Sequence, residues 1–108
     1  MKLAQMHCNV AHARTPLPSE QLTAWLAQLP GWTTTQTGIA KQYDFVDFFE
    51  TMAFVNAVAW IAHQEDHHPD LAVHYNCVRV EWSTHDAGHL TLNDIICAAK
   101  CETLRTEN

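Results

Sequence analysis

The longest helical pattern in the chain runs from Asp47 to about residue 66, and it is the feature that most limits the fold. Phe48, Met52, Val55 and Ala59 make one stripe, widened by Phe49, Ala53 and Trp60. An apolar face that broad suits a helix packed on a sheet. The pattern closes before Pro69, because the residue preceding a proline avoids helical backbone. Two short β-like runs stand on each side of it. Residues 32–45 read as a hairpin: Gln36, Thr37 and Gly38 form the turn, and Ile39, Lys41, Tyr43 and Phe45 alternate with Ala40, Gln42 and Asp44. Residues 71–75 and 78–83 form the second pair, turning near Asn76, with Val78, Val80 and Trp82 alternating with Arg79 and Glu81.

Helices flank both pairs. Ser19 can cap a helix carrying Leu22, Trp25, Leu26 and Leu29, which Pro30-Gly31 stops. Thr91 can cap a last helix from Leu92 to about Leu104, with Asp94 in the capping-box position. The order is α-β-β-α-β-β-α. The expected class is α+β: a four-stranded antiparallel sheet with three helices packed on one face. One domain is expected over residues 1–108, with an irregular lead over 1–17, where no period is visible and Pro16 and Pro18 mark the end. Such a sheet leaves its other face and its edges for association, so a homodimer or homotetramer is expected.

Composition narrows the function. Apolar residues make up 47% of the 108, which is enough to fold. Six Lys+Arg against twelve Asp+Glu give a formal charge of −6. That disfavours nucleic acid, whose binding needs clustered cations, and disfavours an anionic membrane. The longest apolar region, Met52 to Ala62, is interrupted by Asn56 and too short to span a bilayer. The N-terminus lacks a signal-peptide pattern, so a cytoplasmic location is expected. Cys8, Cys77, Cys97 and Cys101 contain no C-x-x-C pair and read as reduced, mostly buried thiols.

Eight histidines are the anomaly, and His63, His67, His68, His74 and His85 fall close together. His67 and His68 sit where the long helix gives way to the third strand. A hairpin centred near Asn76 returns position 85 to roughly position 67. Asp94 follows at the mouth of the last helix. Four readings are open: surface and cap chemistry; a metal site, since His63 and His67 are four apart; general acid/base catalysis, since imidazole titrates near neutral pH; and a helical partner-binding domain.

His67-His68-Pro69, then Tyr75 after five residues, His85 after nine more and Asp94 after eight more resembles the signature of the pterin-4a-carbinolamine dehydratases. The stretches Asp70-Leu71-Ala72-Val73-His74-Tyr75-Asn76 and Ser83-Thr84-His85-Asp86-Ala87-Gly88 resemble the bacterial form. Leu29-Pro30-Gly31-Trp32 and Lys41-Gln42-Tyr43-Asp44-Phe45 also fit, so roughly residues 17–104 are covered. Two positions depart: His63 stands where a carboxylate is usual, and His89 where a second glycine is common.

The resemblance implies dehydration of a 4a-hydroxytetrahydropterin, the form left when an aromatic amino-acid hydroxylase has used its pterin, to the quinonoid dihydropterin. It implies no cofactor and no metal. His67 and His85 are the implied acid and base, and His68 is implied to hold the pterin. Asp94, Trp32 and His63 are the implied binding or orienting residues. The alternatives are a non-catalytic dimerisation cofactor of a transcription factor, as in animal members, and a pterin-binding relative in molybdenum-cofactor metabolism.

Overall fold

The computed structural model describes residues 2–84 and 89–105. Among them the strands are β1 (Thr33–Thr34), β2 (Gly38–Asp44), β3 (Asp70–Val73) and β4 (Cys77–Ser83). The helices are α1 (Val10–Ala13), α2 (Ser19–Leu26), α3 (Phe48–Glu65) and α4 (Leu92–Thr103). All four strands join one antiparallel sheet in the order β1-β2-β4-β3. This is the expected α+β architecture. The two hairpins dock through their long strands, β2 on β4, from Gly38 opposite Ser83 to Asp44 opposite Cys77.

That register sorts the side chains. Opposed residues share a face of the sheet, so Ile39 with Trp82 and Tyr43 with Val78 point the same way. All four are buried, as are Val80 and Val58, and α3 and α4 cover this face. Leu22, Trp25 and Leu26 of α2 pack half-buried against the same core. Gly38 is required by the close approach of β4: a Cβ there would stand 2.0 Å from the Trp82 carbonyl oxygen. On the outer side of α3, Phe49 and Trp60 are 81% and 60% exposed, apolar surface of the kind that association covers.

Lys41 sits opposite Val80, so the same alternation that buries Ile39 and Tyr43 turns a lysine towards the helices. Glu102 of α4 answers it. The Lys41 ammonium donates to Glu102 Oε2 at 2.7 Å, the Trp32 indole N–H at 3.1 Å, and the Tyr43 hydroxyl donates to the same oxygen. Burial works against ionisation of Glu102, but the three donors outweigh it and hold the carboxyl below its ordinary value near 4.5. Burial, with the hydrogen bond to Glu102, pushes the Tyr43 phenol up.

A carboxyl whose folded pKa is depressed contributes stability that is complete above its unfolded pKa and is lost as pH falls through the folded one. Glu65 is lowered too: burial opposes its ionisation, and the Cys8 N–H, His7 and Lys100 overcome it. The urea midpoint should therefore hold steady down to about pH 5 and fall progressively below it. Glu102→Gln should flatten that acid limb. Midpoints measured in steps from about pH 6 to about pH 3 check this, and an unchanged limb in the variant rejects the role given to Glu102.

The lead is more ordered than its lack of period implies. A 3-10 turn spans Leu3–Gln5, and Leu3 is buried against α4. Asn9 caps the single turn of α1, accepting the His12 N–H at 2.8 Å. The packing of Leu3 on α4 is long-range, so no local periodicity announces it. All four cysteines are free thiols; Cys97 and Cys101 are buried, and Cys8 and Cys77 half-buried. Burial raises the Cys101 thiol to about 12.

Candidate active site

The site begins where α3 ends. Asp66 adopts left-handed backbone, with φ 51° and ψ 43°. A non-glycine residue is uncommon there, but aspartate tolerates it better than most. The N–H groups of both Asp66 and His67 turn back to the Ala62 carbonyl, which closes the helix. The helix thus stops at Glu65, several residues before Pro69. This left-handed residue is what re-aims the histidines. It takes His67 off the face that His63 occupies, so the four-residue spacing no longer brings the two rings together. His63 is exposed, 6.0 Å from the Trp60 ring.

His67 turns inward instead. Its ring stacks on the fully buried Trp82 indole, 5.7 Å between centroids and 11° between planes. Its Nε2 lies 2.6 Å from Asp94 Oδ1, and the imidazole is 12% exposed while the carboxylate is 0% exposed. The other carboxylate oxygen of Asp94 accepts the Thr91 backbone N–H at 3.0 Å and the Thr84 hydroxyl at 3.0 Å. Thr91 Oγ1 in turn lies 2.8 Å from Thr84 Oγ1 and accepts the Asn93 N–H at 3.3 Å. This completes the capping box read from the sequence, and Thr91 and Asp94 start α4 as expected.

The hydrogen-bond directions follow from the groups themselves. A carboxylate only accepts. His67 therefore carries a hydrogen on Nε2, and Nδ1 is left as the nitrogen that can gain or lose a proton. A buried partner that fixes an imidazole tautomer in this way is a recurring arrangement in proton transfer.

A cleft of about 410 Å³ opens beside this ring, within the size range of small-molecule sites. His67, His68, Thr84, Ser83 and Asn93 line one part of it, and Cys8, Asn9, Val10 and Ala13 line another. A second cleft of about 420 Å³ lies between α3 and the chain end, lined by Phe45, Phe49, Phe54, Leu104 and Arg105. Its walls are mostly apolar and offer no imidazole.

Three of the expected site residues, His67, His68 and Asp94, are brought to one place; His68 is exposed at the cleft. Trp32 goes elsewhere, buried with its indole N–H on Glu102 and absent from the cleft lining. His85 lies outside the described residues. Strand pairing runs Asp70 with Glu81 and Leu71 with Val80, which brings the end of β4 and Thr84 towards the segment that follows α3. Thr84 is thus the threonine that shares Asp94 with His67, and the strand register is the signal that finds it. Among the described residues no three His, Cys, Asp or Glu side chains converge as a metal-binding group. No helix among them is long and apolar enough to cross a membrane.

Comparison with known proteins places the chain. The pattern of the family described as Pterin 4 alpha carbinolamine dehydratase matches residues 15–104. A Chromobacterium violaceum protein, provisionally named pterin-4-alpha-carbinolamine dehydratase, is 53% identical over 104 residues, 96% of each chain. A provisionally named counterpart from Nitrosospira multiformis is 50% identical over 103 residues, 94% of this chain and 91% of its own. A crystal structure of a transcriptional coactivator/pterin dehydratase from Brucella melitensis superposes with a TM-score of 0.79 at 29% identity. It covers 83% of this chain and 98% of its own. A pterin dehydratase-like RuBisCO assembly factor of the alpha-carboxysome shares the fold, with a TM-score of 0.57 at 18% identity over 71% of this chain and 89% of its own.

Proposed function

The chain belongs to the pterin 4 alpha carbinolamine dehydratase family, and on that premise we propose that it removes water from a 4a-hydroxytetrahydropterin. The C4a–O bond breaks as the leaving hydroxide takes a proton, and N5 gives up its proton as the quinonoid dihydropterin forms. One acid and one base at hydrogen-bond reach are each worth roughly 10²–10⁴-fold. His67 is one of the pair. The observation that carries this reading is the contact between His67 Nε2 and the buried Asp94 carboxylate, which leaves Nδ1 to exchange the proton beside the cleft.

His85 supplies the second proton-transfer group by family resemblance, and His68 at the cleft contacts the pterin. The activity serves pterin recycling for an aromatic amino-acid hydroxylase, and no metal takes part. The deciding experiment follows carbinolamine decay with purified, exhaustively chelated protein. Decay above the spontaneous rate supports the proposal. Decay only at that rate, or activity that returns on adding zinc, rejects it.

A further inference from the structure

One wall of the cleft comes from residues 8–13, which lie before the span matched to the family, residues 15–104. This segment is fastened in place by buried and half-buried side chains. Asn93 takes both backbone groups of Asn9: its Oδ1 accepts the N–H at 3.1 Å and its Nδ2 donates to the carbonyl at 2.9 Å. The same Oδ1 meets His12 Nδ1 at 3.1 Å. Glu65 accepts the Cys8 N–H at 2.8 Å and contacts His7 Nδ1 at 2.9 Å. Further back, Lys100 donates to the Ala4 carbonyl at 2.8 Å.

Two of these fasteners adjoin the chemistry in sequence. Asn93 precedes Asp94, and Glu65 is two residues before His67. The wall is therefore held at a fixed distance from the imidazole. Both backbone groups of Asn9 are bonded by a buried asparagine; 4% of Asn93 is exposed.

We propose that Val10 and Ala13 are specificity-determining residues, setting how large a substituent the bound pterin can carry away from His67. The inference rests on the pterin reading of the cleft. Both residues line it, and Val10 is 64% exposed, so a larger residue there fills the cleft without crowding the core.

The test compares two pterin carbinolamines, one with a 6-methyl group and one with the dihydroxypropyl side chain. Val10→Trp and, separately, Ala13→Trp are assayed, with circular dichroism to follow folding. The ratio of kcat/KM for the small over the large substrate should rise about tenfold in at least one folded variant. A ratio unchanged in both folded variants, with the unmodified protein active, overturns the wall and leaves the function standing. Binding of dihydrobiopterin, followed by tryptophan fluorescence, separates the remaining outcomes. Inactive wild-type protein that binds it normally, with both variants weakening that binding, removes the reaction and keeps the wall. Wild-type protein that does not bind it removes both.

Discussion

His67→Ala should lower the dehydration rate by roughly 10²–10⁴-fold while the protein stays folded. The ring lies on the Trp82 face and its edge meets Asp94, so its loss removes the proposed proton-transfer group and opens space at the cleft rather than in the centre of the core. His74→Ala is the matched control. His74 is exposed, and what it contributes to the hairpin is a backbone N–H to the Cys77 carbonyl, which alanine retains. The double change His67→Ala/His85→Ala should leave little beyond the spontaneous reaction. If each histidine serves one 4a epimer, each single variant spares the other epimer and only the double variant loses both. Rates on the separated epimers, with circular dichroism on each variant, decide it; full activity in the folded double variant sinks the mechanism.

Asp94→Ala should cost about 4 kcal/mol of stability, among the largest single effects in this fold. The wholly buried carboxylate holds three donors: His67 Nε2, the Thr84 hydroxyl and the Thr91 N–H. The N-cap Thr91 stays, but its N–H loses the capping-box acceptor, and each buried donor left unpaired costs about 1–3 kcal/mol. In a domain of this size the melting temperature should fall by about 15 °C or more. Asp94→Asn separates the two roles of the residue. The amide keeps the volume and one accepting oxygen, so the stability loss should be smaller. An amide N–H facing Nε2 would force the imidazole hydrogen onto Nδ1 and remove the base. Thermal melts and turnover measured together check this. An Asn variant that is fully active rejects the tautomer argument, and an Ala variant as stable as the wild type rejects the structural one.

The parts of the fold that obey a local period were legible in the sequence. The alternation over Val78, Val80 and Trp82 fixed which face of β4 is buried, and the capping box at Thr91 and Asp94 located the start of α4 to the residue. What was not legible depends on single residues or on distant segments. Pro69 was visible as a stop, yet the helix ends at left-handed Asp66, a conformation that residue type alone does not announce. Thr84 reaches Asp94 from the end of β4, ten residues earlier in the chain, a contact that no hydrophobic period announces. The family resemblance implies Trp32 at the site, but the turn at Gly31, with φ 86°, leads into a strand whose neighbour Lys41 shares the carboxylate partner of Trp32 at the far end of α4. The lead's wall rests on Asn9 meeting Asn93, a pairing across the length of the chain that no window of sequence contains.

One carboxylate helps to start the last helix and also meets the imidazole, so a single residue answers to two demands. Selection for a well-folded chain alone is enough to keep Asp94, whether or not anything is dehydrated. His67 serves the fold less, through one hydrogen bond to Asp94 and a stack on Trp82, and its Nδ1 serves only the proposed proton transfer. A descendant that drifted to a purely structural or partner-binding life would shed the histidine first and the aspartate last. In a lineage of such chains the aspartate records ancestry and the histidine records occupation.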